Sequence, residues 1–140
     1  SGWDMHNDVA GGMATKGPAL DQAVSALIRD LDSSGLLDET LIVLASEFGR
    51  SPAINQNAGR DHHPAALSYV LAGAGIKGGA VYGKSDEKGH GIDEDPVGIT
   101  DFNSTITVAC GLDPNKEHFA PNGRPFKIGG GGDPIYDVLT

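Results

Sequence analysis

Arg60-Asp61-His62-His63-Pro64 is the densest group of chemically versatile side chains in the sequence, with Glu47 just after an apolar run and Asp4 and His6 near the start. Imidazole and carboxylate together suit divalent metals such as zinc, manganese or iron, and without thiolates this is not a structural cysteine zinc site. The candidate metal ligands are therefore Asp4, His6, Glu47, Asp61, His62 and His63, distant in sequence and required to converge in space. Taken singly, each has an ordinary structural role: an Asp-His pair caps turns, and a His before Pro64 packs as a hydrogen-bonded ring. The set carries the case. Arg50 and Arg60 flank the same loop in an acidic chain, and the guanidinium fork suits phosphate or sulfate oxygens, so an anionic ester is the expected substrate class. The competing role for each Arg is to neutralise a neighbouring carboxylate.

Other motifs lead nowhere chemical. Gly73-Ala74-Gly75-Ile76-Lys77-Gly78 matches G-x-G-x-x-G, but Gly79 to Gly83 reads as another strand rather than a phosphate-binding helix, which excludes a dinucleotide site. The acidic run from Ser85 to Asp95 lacks the EF-hand order and reads as a solvated loop. Ser46 and Ser104 have no His-Asp context or nucleophile elbow, and Cys110 lies in an apolar helix face. The catalytic nucleophile is thus not identifiable in this chain.

The elements that must position these groups follow from periodicity. Residues 1–17 read as a loop or strand end around Trp3, His6 and Gly11-Gly12. Leu20, Val24, Leu27, Ile28 and Leu31 predict a helix over 18–34, with Pro18 in its first turn and Gly35 as its stop. Leu41 to Ser46 is a continuous apolar run that predicts a strand buried on both faces, interior to a parallel sheet. Leu67 to Ala72 reads as a second strand, Ala80 to Gly83 as a short further one, and 84–96 as exposed. Thr100 is a plausible N-cap for a helix over 101–110 that Gly111 ends, and Ile135 to Leu139 forms a last short element. This α/β alternation predicts ligands outside the strand ends, where the loop from Glu47 begins.

Composition sets the remaining bounds. The 140 residues, 39% apolar, suffice for one core, so the chain reads as a single domain or as the C-terminal fragment of a larger one. A net charge of −9 repels nucleic acid and anionic membranes, and the longest apolar run, Leu41 to Ala45, is far short of a membrane span. One cysteine allows no intrachain disulfide.

Gly2-Trp3-Asp4-Met5-His6, Leu36 to Val43, Ser46-Glu47-Phe48-Gly49-Arg50, Gly59 to Pro64, Leu71 to Gly79 and Gly123-Arg124-Pro125, in that order, resemble the C-terminal part of the uncharacterised bacterial sulfatase-like family in the alkaline-phosphatase/sulfatase superfamily. The resemblance implies a three-layer α/β/α fold with a mostly parallel sheet, a divalent-metal centre, and hydrolysis or transfer of phosphate or sulfate esters. It also implies export to the periplasm or the cell exterior. Glu47-Phe48 stands where superfamily phosphatases place an Asp-His pair, so the carboxylate is kept and the imidazole replaced. The nucleophile normally lies far upstream, which makes the chain look like the last third of a longer protein. Its expected partners are an anionic ester and either a missing N-terminal segment or a second copy. The expected cofactor is zinc, manganese or calcium, and the expected function is that of the metal-bearing part of an ester hydrolase. The rival expectation is a non-catalytic binding or structural module with a partial metal site.

Overall fold

Asp8 starts the first helix. Its carboxylate accepts the Gly11 N–H at 3.1 Å, satisfying one of the donors that a helix start leaves open, and α1 runs over Val9–Ser33. In this computed structural model, which describes residues 2–140, the helix begins well before the expected residue 18 and carries Pro18 inside it. Pro18 suits a first turn, but the Asp8 cap upstream decides where the helix begins. Gly35, with φ at 72°, ends it in the left-handed region where glycine is least strained.

A 3₁₀ turn at Leu36–Glu39 leads into β1 (Leu41–Leu44), followed by β2 (Gly49–Arg50), β3 (His62–His63), β4 (Val70–Gly73), β5 (Lys84–Ser85), β6 (Ile92–Glu94), α2 (Ile99–Ala109), β7 (Glu117–Phe119) and β8 (Pro125–Lys127). A second 3₁₀ turn at Tyr136–Val138 takes the place of the last expected element. The described strands form four two-stranded ladders, β1 with β4, β2 with β3, β5 with β6 and β7 with β8, and every one is antiparallel. The expected three-layer α/β/α architecture with a mostly parallel sheet is therefore wrong. A parallel neighbour needs a crossover, usually a helix, and residues 45–69 contain none. The chain turns back through the β2–β3 hairpin instead, and β4 returns against β1 with Leu41 opposite Gly73. Nor is β1 interior, because Val43 and Leu44 are 39% and 44% exposed. An apolar run without alternation signals burial on both faces only when a second layer covers it. No strand forms over residues 80–83, where Val81 is 92% exposed.

The second helix is close to expectation, though Gly98 rather than Thr100 precedes it. Asp101 in its first turn accepts the Gly98 N–H at 3.0 Å and the Asp133 N–H at 2.9 Å. Its buried face is largely hydroxyl, and the C-terminal tail closes over it. Ser104 donates toward the carbonyls of Gly129 and Gly132 at 3.0 and 2.8 Å, and Thr105 accepts the Ile135 N–H at 2.9 Å. A Cβ on Gly132 would strike the Thr100–Asp101 backbone, so only glycine allows this approach. Phe102 stacks on Tyr69 with ring centroids 4.3 Å apart, tying α2 to the segment that enters β4.

The apolar core is small: the buried hydrophobic residues described are Met5 and Phe102. The accessible surface of 9350 Å² exceeds by roughly 2,500 Å² the value of about 6,800 Å² expected for a compact monomer of this mass. Large apolar side chains contribute to that surface, with Leu20 and Leu27 on α1 and Val43 and Leu44 on β1 all exposed. No described helix is long and apolar enough to cross a membrane.

Candidate metal centre

Three stretches of backbone meet at one place. The β2–β3 hairpin sets Arg50 opposite His62 and Gly49 opposite His63, and a Cβ on Gly49 would collide with the Ala66 carbonyl. The segment before α1 is then clamped onto the loop between those strands. Arg60 N–H donates to Met5 at 3.0 Å, Asp8 N–H to Asn57 at 3.0 Å and Val9 N–H to Ala58 at 2.9 Å. Gly59 lies so close to the His6 backbone that a side chain there would drive the two apart. Ala58 takes φ of 56°, a left-handed conformation that costs a non-glycine residue roughly 1–2 kcal/mol. The clamp compensates for that strain and fixes where Asp4 and His6 project.

They project at His62. Asp4 Oδ1 lies 2.8 Å from His62 Nε2, 3.1 Å from His6 Nε2 and 2.5 Å from an Arg50 guanidinium nitrogen. The two imidazole Nε2 atoms are 3.1 Å apart. On its other side His6 turns Nδ1 to Asp61 Oδ1 at 2.9 Å, and Asn55 donates to the same oxygen at 2.9 Å. Phe48 backs His62 with ring centroids 4.0 Å apart, and the Arg50 guanidinium lies 5.7 Å from the Phe48 centroid. The hydrogen bond from His62, joined by that from Arg50, holds the Asp4 carboxyl at about 2. The bond from His6, then that from Asn55, lowers Asp61 as well. Both carboxylates stay charged at neutral pH.

The donor set fits one cation. A His6 ring that donates Nδ1–H to Asp61 and is otherwise unprotonated would turn an Nε2 lone pair toward His62 and Asp4. One donor atom from each of Asp4, His6 and His62 falls within 4.8 Å of the others. Nitrogen and oxygen ligands held at about 2.1 Å around zinc are roughly 3.0–3.4 Å apart, so separations of 2.8 to 3.1 Å need to open only slightly. Two imidazoles with one carboxylate suit zinc, manganese or iron better than calcium, which takes oxygen ligands.

Not every expected residue joins. Asp4, His6, Asp61, His62 and Arg50 meet, with Asp61 behind His6 rather than among the converging donors. Glu47 is exposed on the bend after β1, outside the cluster. His63 alternates to the other side of β3 and donates Nε2–H to the His90 carbonyl at 2.8 Å. Arg60 donates to the carbonyls of Ser51 and Pro52, both at 2.6 Å, which makes it a brace for the loop. Sequence reading passed over Asn55, although Asn55-Gln56-Asn57-Ala58-Gly59 has the composition of a side-chain-closed turn. Ser46 and Ser51 donate to the carbonyls of Phe48 and Ala53, so neither hydroxyl is presented to the cluster.

The family model described as "Protein of unknown function (DUF1501)" matches residues 1–139. No sulfatase or alkaline-phosphatase family matches, and this overturns the assignment that the motifs suggested. No curated protein and no solved structure matches the chain.

Proposed function

We propose a function for this chain, which belongs to the DUF1501 family, from its cation-sized cluster: Asp4, His6 and His62 bind a divalent transition-metal ion. The observation that carries this is the convergence of three donor atoms from two separate segments within 4.8 Å. A bound metal polarises an ester oxygen and stabilises charge in an in-line displacement. Arg50, beside Asp4 and partly exposed, is placed to hold an anionic group near such an ion. The chain is then the metal-bearing part of a hydrolase for phosphate or sulfate esters, with its nucleophile supplied from outside the cluster.

One observation favours a rival. The Arg50 guanidinium already lies on Asp4, and a cation built into the fold is what a non-catalytic module with a vestigial site needs. Calorimetric titration with zinc and with manganese separates the two. Saturable one-to-one uptake, lost when His6 and His62 are both replaced by Ala, supports the metal site. Absence of uptake leaves the module. Hydrolysis of chromogenic phosphate and sulfate esters by the chain alone should stay at background even with metal, because the nearby Ser46 and Ser51 hydroxyls are turned to backbone carbonyls rather than to the cluster. Turnover that disappears in the double variant overturns that expectation.

The exposed apolar residues on α1 and β1, in a chain whose total surface exceeds that of a compact monomer, support dependence on a covering partner, either a further segment of a longer polypeptide or a second copy. An obligate interface takes at least about 1,000 Å² from each side, less than the excess here. Light scattering checks this: a stable, monodisperse 14.4 kDa monomer would need no such cover.

A further inference from the structure

Asn55 spends its whole hydrogen-bonding capacity inside this site. A primary amide has two N–H donors and two acceptor lone pairs, and all four are used. Its Oδ1 accepts the Asn57 and Gly59 N–H groups at 2.9 Å each. Its Nδ2 donates to the His6 carbonyl at 3.1 Å and to Asp61 Oδ1 at 2.9 Å. The neighbours leave no choice of amide orientation, since the two backbone N–H groups require the oxygen and the carbonyl and carboxylate require the NH₂.

The two halves of the amide do different work. The oxygen closes the turn that brings Gly59 against the His6 backbone, and the backbone bonds from Asn55 to Gly59 and from Ala58 to Asn55 complete that turn. The nitrogen joins the two arms of the site, the segment before α1 that carries His6 and the β3 arm carrying Asp61 and His62. Asp61 Oδ1 thereby receives one proton from Asn55 and faces His6 Nδ1 with the other lone-pair direction. A carboxylate held there selects the Nδ1–H tautomer of His6 and leaves Nε2 as the ligand nitrogen.

We infer that Asn55 is the positioning residue of the cluster: through Asp61 it sets the tautomer and ring orientation of His6, and so tunes its affinity for a divalent ion. This rests on the metal-binding reading above for its effect on affinity, but its effect on the His6 tautomer stands without it. The informative variant is Asn55→Asp, which keeps an oxygen for the Asn57 and Gly59 N–H groups and replaces the bridging donor with a second carboxylate oxygen facing Asp61.

Two measurements test this. Long-range ¹H–¹⁵N correlation on the metal-free protein should show wild-type His6 as the Nδ1–H tautomer, and Asn55→Asp should mix the tautomers of His6. Zinc titration should then show an affinity about 10–100-fold weaker in Asn55→Asp, the size expected for loss of an outer hydrogen bond to a ligand, with Asp61→Ala giving a similar loss. A wild-type His6 protonated at Nε2 overturns the inference without any variant having to fold. So does a folded Asn55→Asp protein with wild-type tautomer and affinity. Wild-type protein that takes up no zinc or manganese defeats the metal-binding reading instead, and the tautomer measurement still decides the role of Asn55.

Discussion

Around α2 the buried hydroxyls of Ser104, Thr105 and Thr107 each end on the protein's own backbone, at Gly129 and Gly132, at Asp101 and Ile135, and at Asn103. At the cluster, Asp4, His6 and His62 are instead turned on one another and remain partly exposed. Both regions are knit by polar contacts in a chain whose buried hydrophobic residues, among those described, are Met5 and Phe102. Each of these three hydroxyls finds a backbone acceptor, so the contacts serve the fold. At the cluster two imidazole nitrogens lie 3.1 Å apart beside one carboxylate oxygen, and these side chains meet one another rather than the backbone, which leaves them available to a ligand. Stability and ligand affinity should therefore separate by region.

The largest effect that tests this separation is on affinity. Replacing His6 and His62 by Ala should weaken zinc binding by more than about 100-fold, beyond the loss from any outer residue. Both rings are partly exposed, so stability in urea should fall by only about 0.5–1.5 kcal/mol, the worth of the His62 contact with Phe48. Ser104→Ala should do the reverse. It leaves the Gly129 and Gly132 carbonyls short of a buried donor, which costs about 1–3 kcal/mol, while zinc affinity stays at the wild-type value. If Ser104→Ala weakens zinc binding while still folded, the two regions are coupled and the contrast fails.

How much of this was legible beforehand depended on the range of the interactions. Local rules placed α2 within two residues, because a capping residue near Thr100 and a glycine stop at Gly111 are short-range signals. The same rules misplaced the start of α1, where Pro18 looked like a first turn and the Asp8 side chain did the capping. The sheet failed for a longer-range reason. Leu41 to Leu44 has the composition of a doubly covered strand, but pairing direction is decided by the connection, and 45–69 forms a hairpin excursion rather than a crossover helix. For the site, residue chemistry was enough to nominate Asp4, His6, Asp61 and His62. It could not separate His62 from His63, because only the strand register assigns adjacent residues to opposite sides. The turn at Asn55 has a local composition signal, but the bridge that its side chain makes to His6 and Asp61 has none until both arms are in place.

A smaller effect should appear with acid, in a third polar knot. The backbone N–H of His90, with those of Lys88 and Gly91, holds the Asp86 carboxyl below its ordinary value of 3.8. A depressed folded value means that the charged form supports the β5–β6 turn. That support is fully present above about 3.8 and is lost as pH falls through the lower, folded value. Amide hydrogen exchange at Gly91 should therefore accelerate, relative to its intrinsic rate, on acidification in that range. Asp86→Asn should abolish the pH dependence, and an unchanged profile in that variant would assign the effect elsewhere. The Asp4 carboxyl, held at about 2 by His62 and then Arg50, should likewise keep its contacts until the pH falls to about that value.

The smallest expected effect concerns Phe48, where packing and affinity meet. Its ring lies 4.0 Å from that of His62, tilted by 39°, and the Arg50 guanidinium sits 5.7 Å from its centroid. Phe48 offers the cluster no ligand atom, so it can act only by holding the orientation of His62 and by favouring the nearby cation. Such aromatic contacts are worth about 0.5–1.5 kcal/mol beyond area burial, which converts to roughly a two- to tenfold change in a binding constant. Phe48→Leu keeps most of the apolar volume and removes the ring face, so zinc affinity should fall by that factor while stability shifts by less than about 1 kcal/mol. A loss above about 100-fold would place Phe48 on the same footing as the ligands and require the hairpin itself to have moved. No loss at all would mean that His62 is oriented by Asp4 alone, and the contrast between a self-satisfied α2 and a ligand-seeking cluster would then rest on the hydrogen bonds without help from the ring behind them.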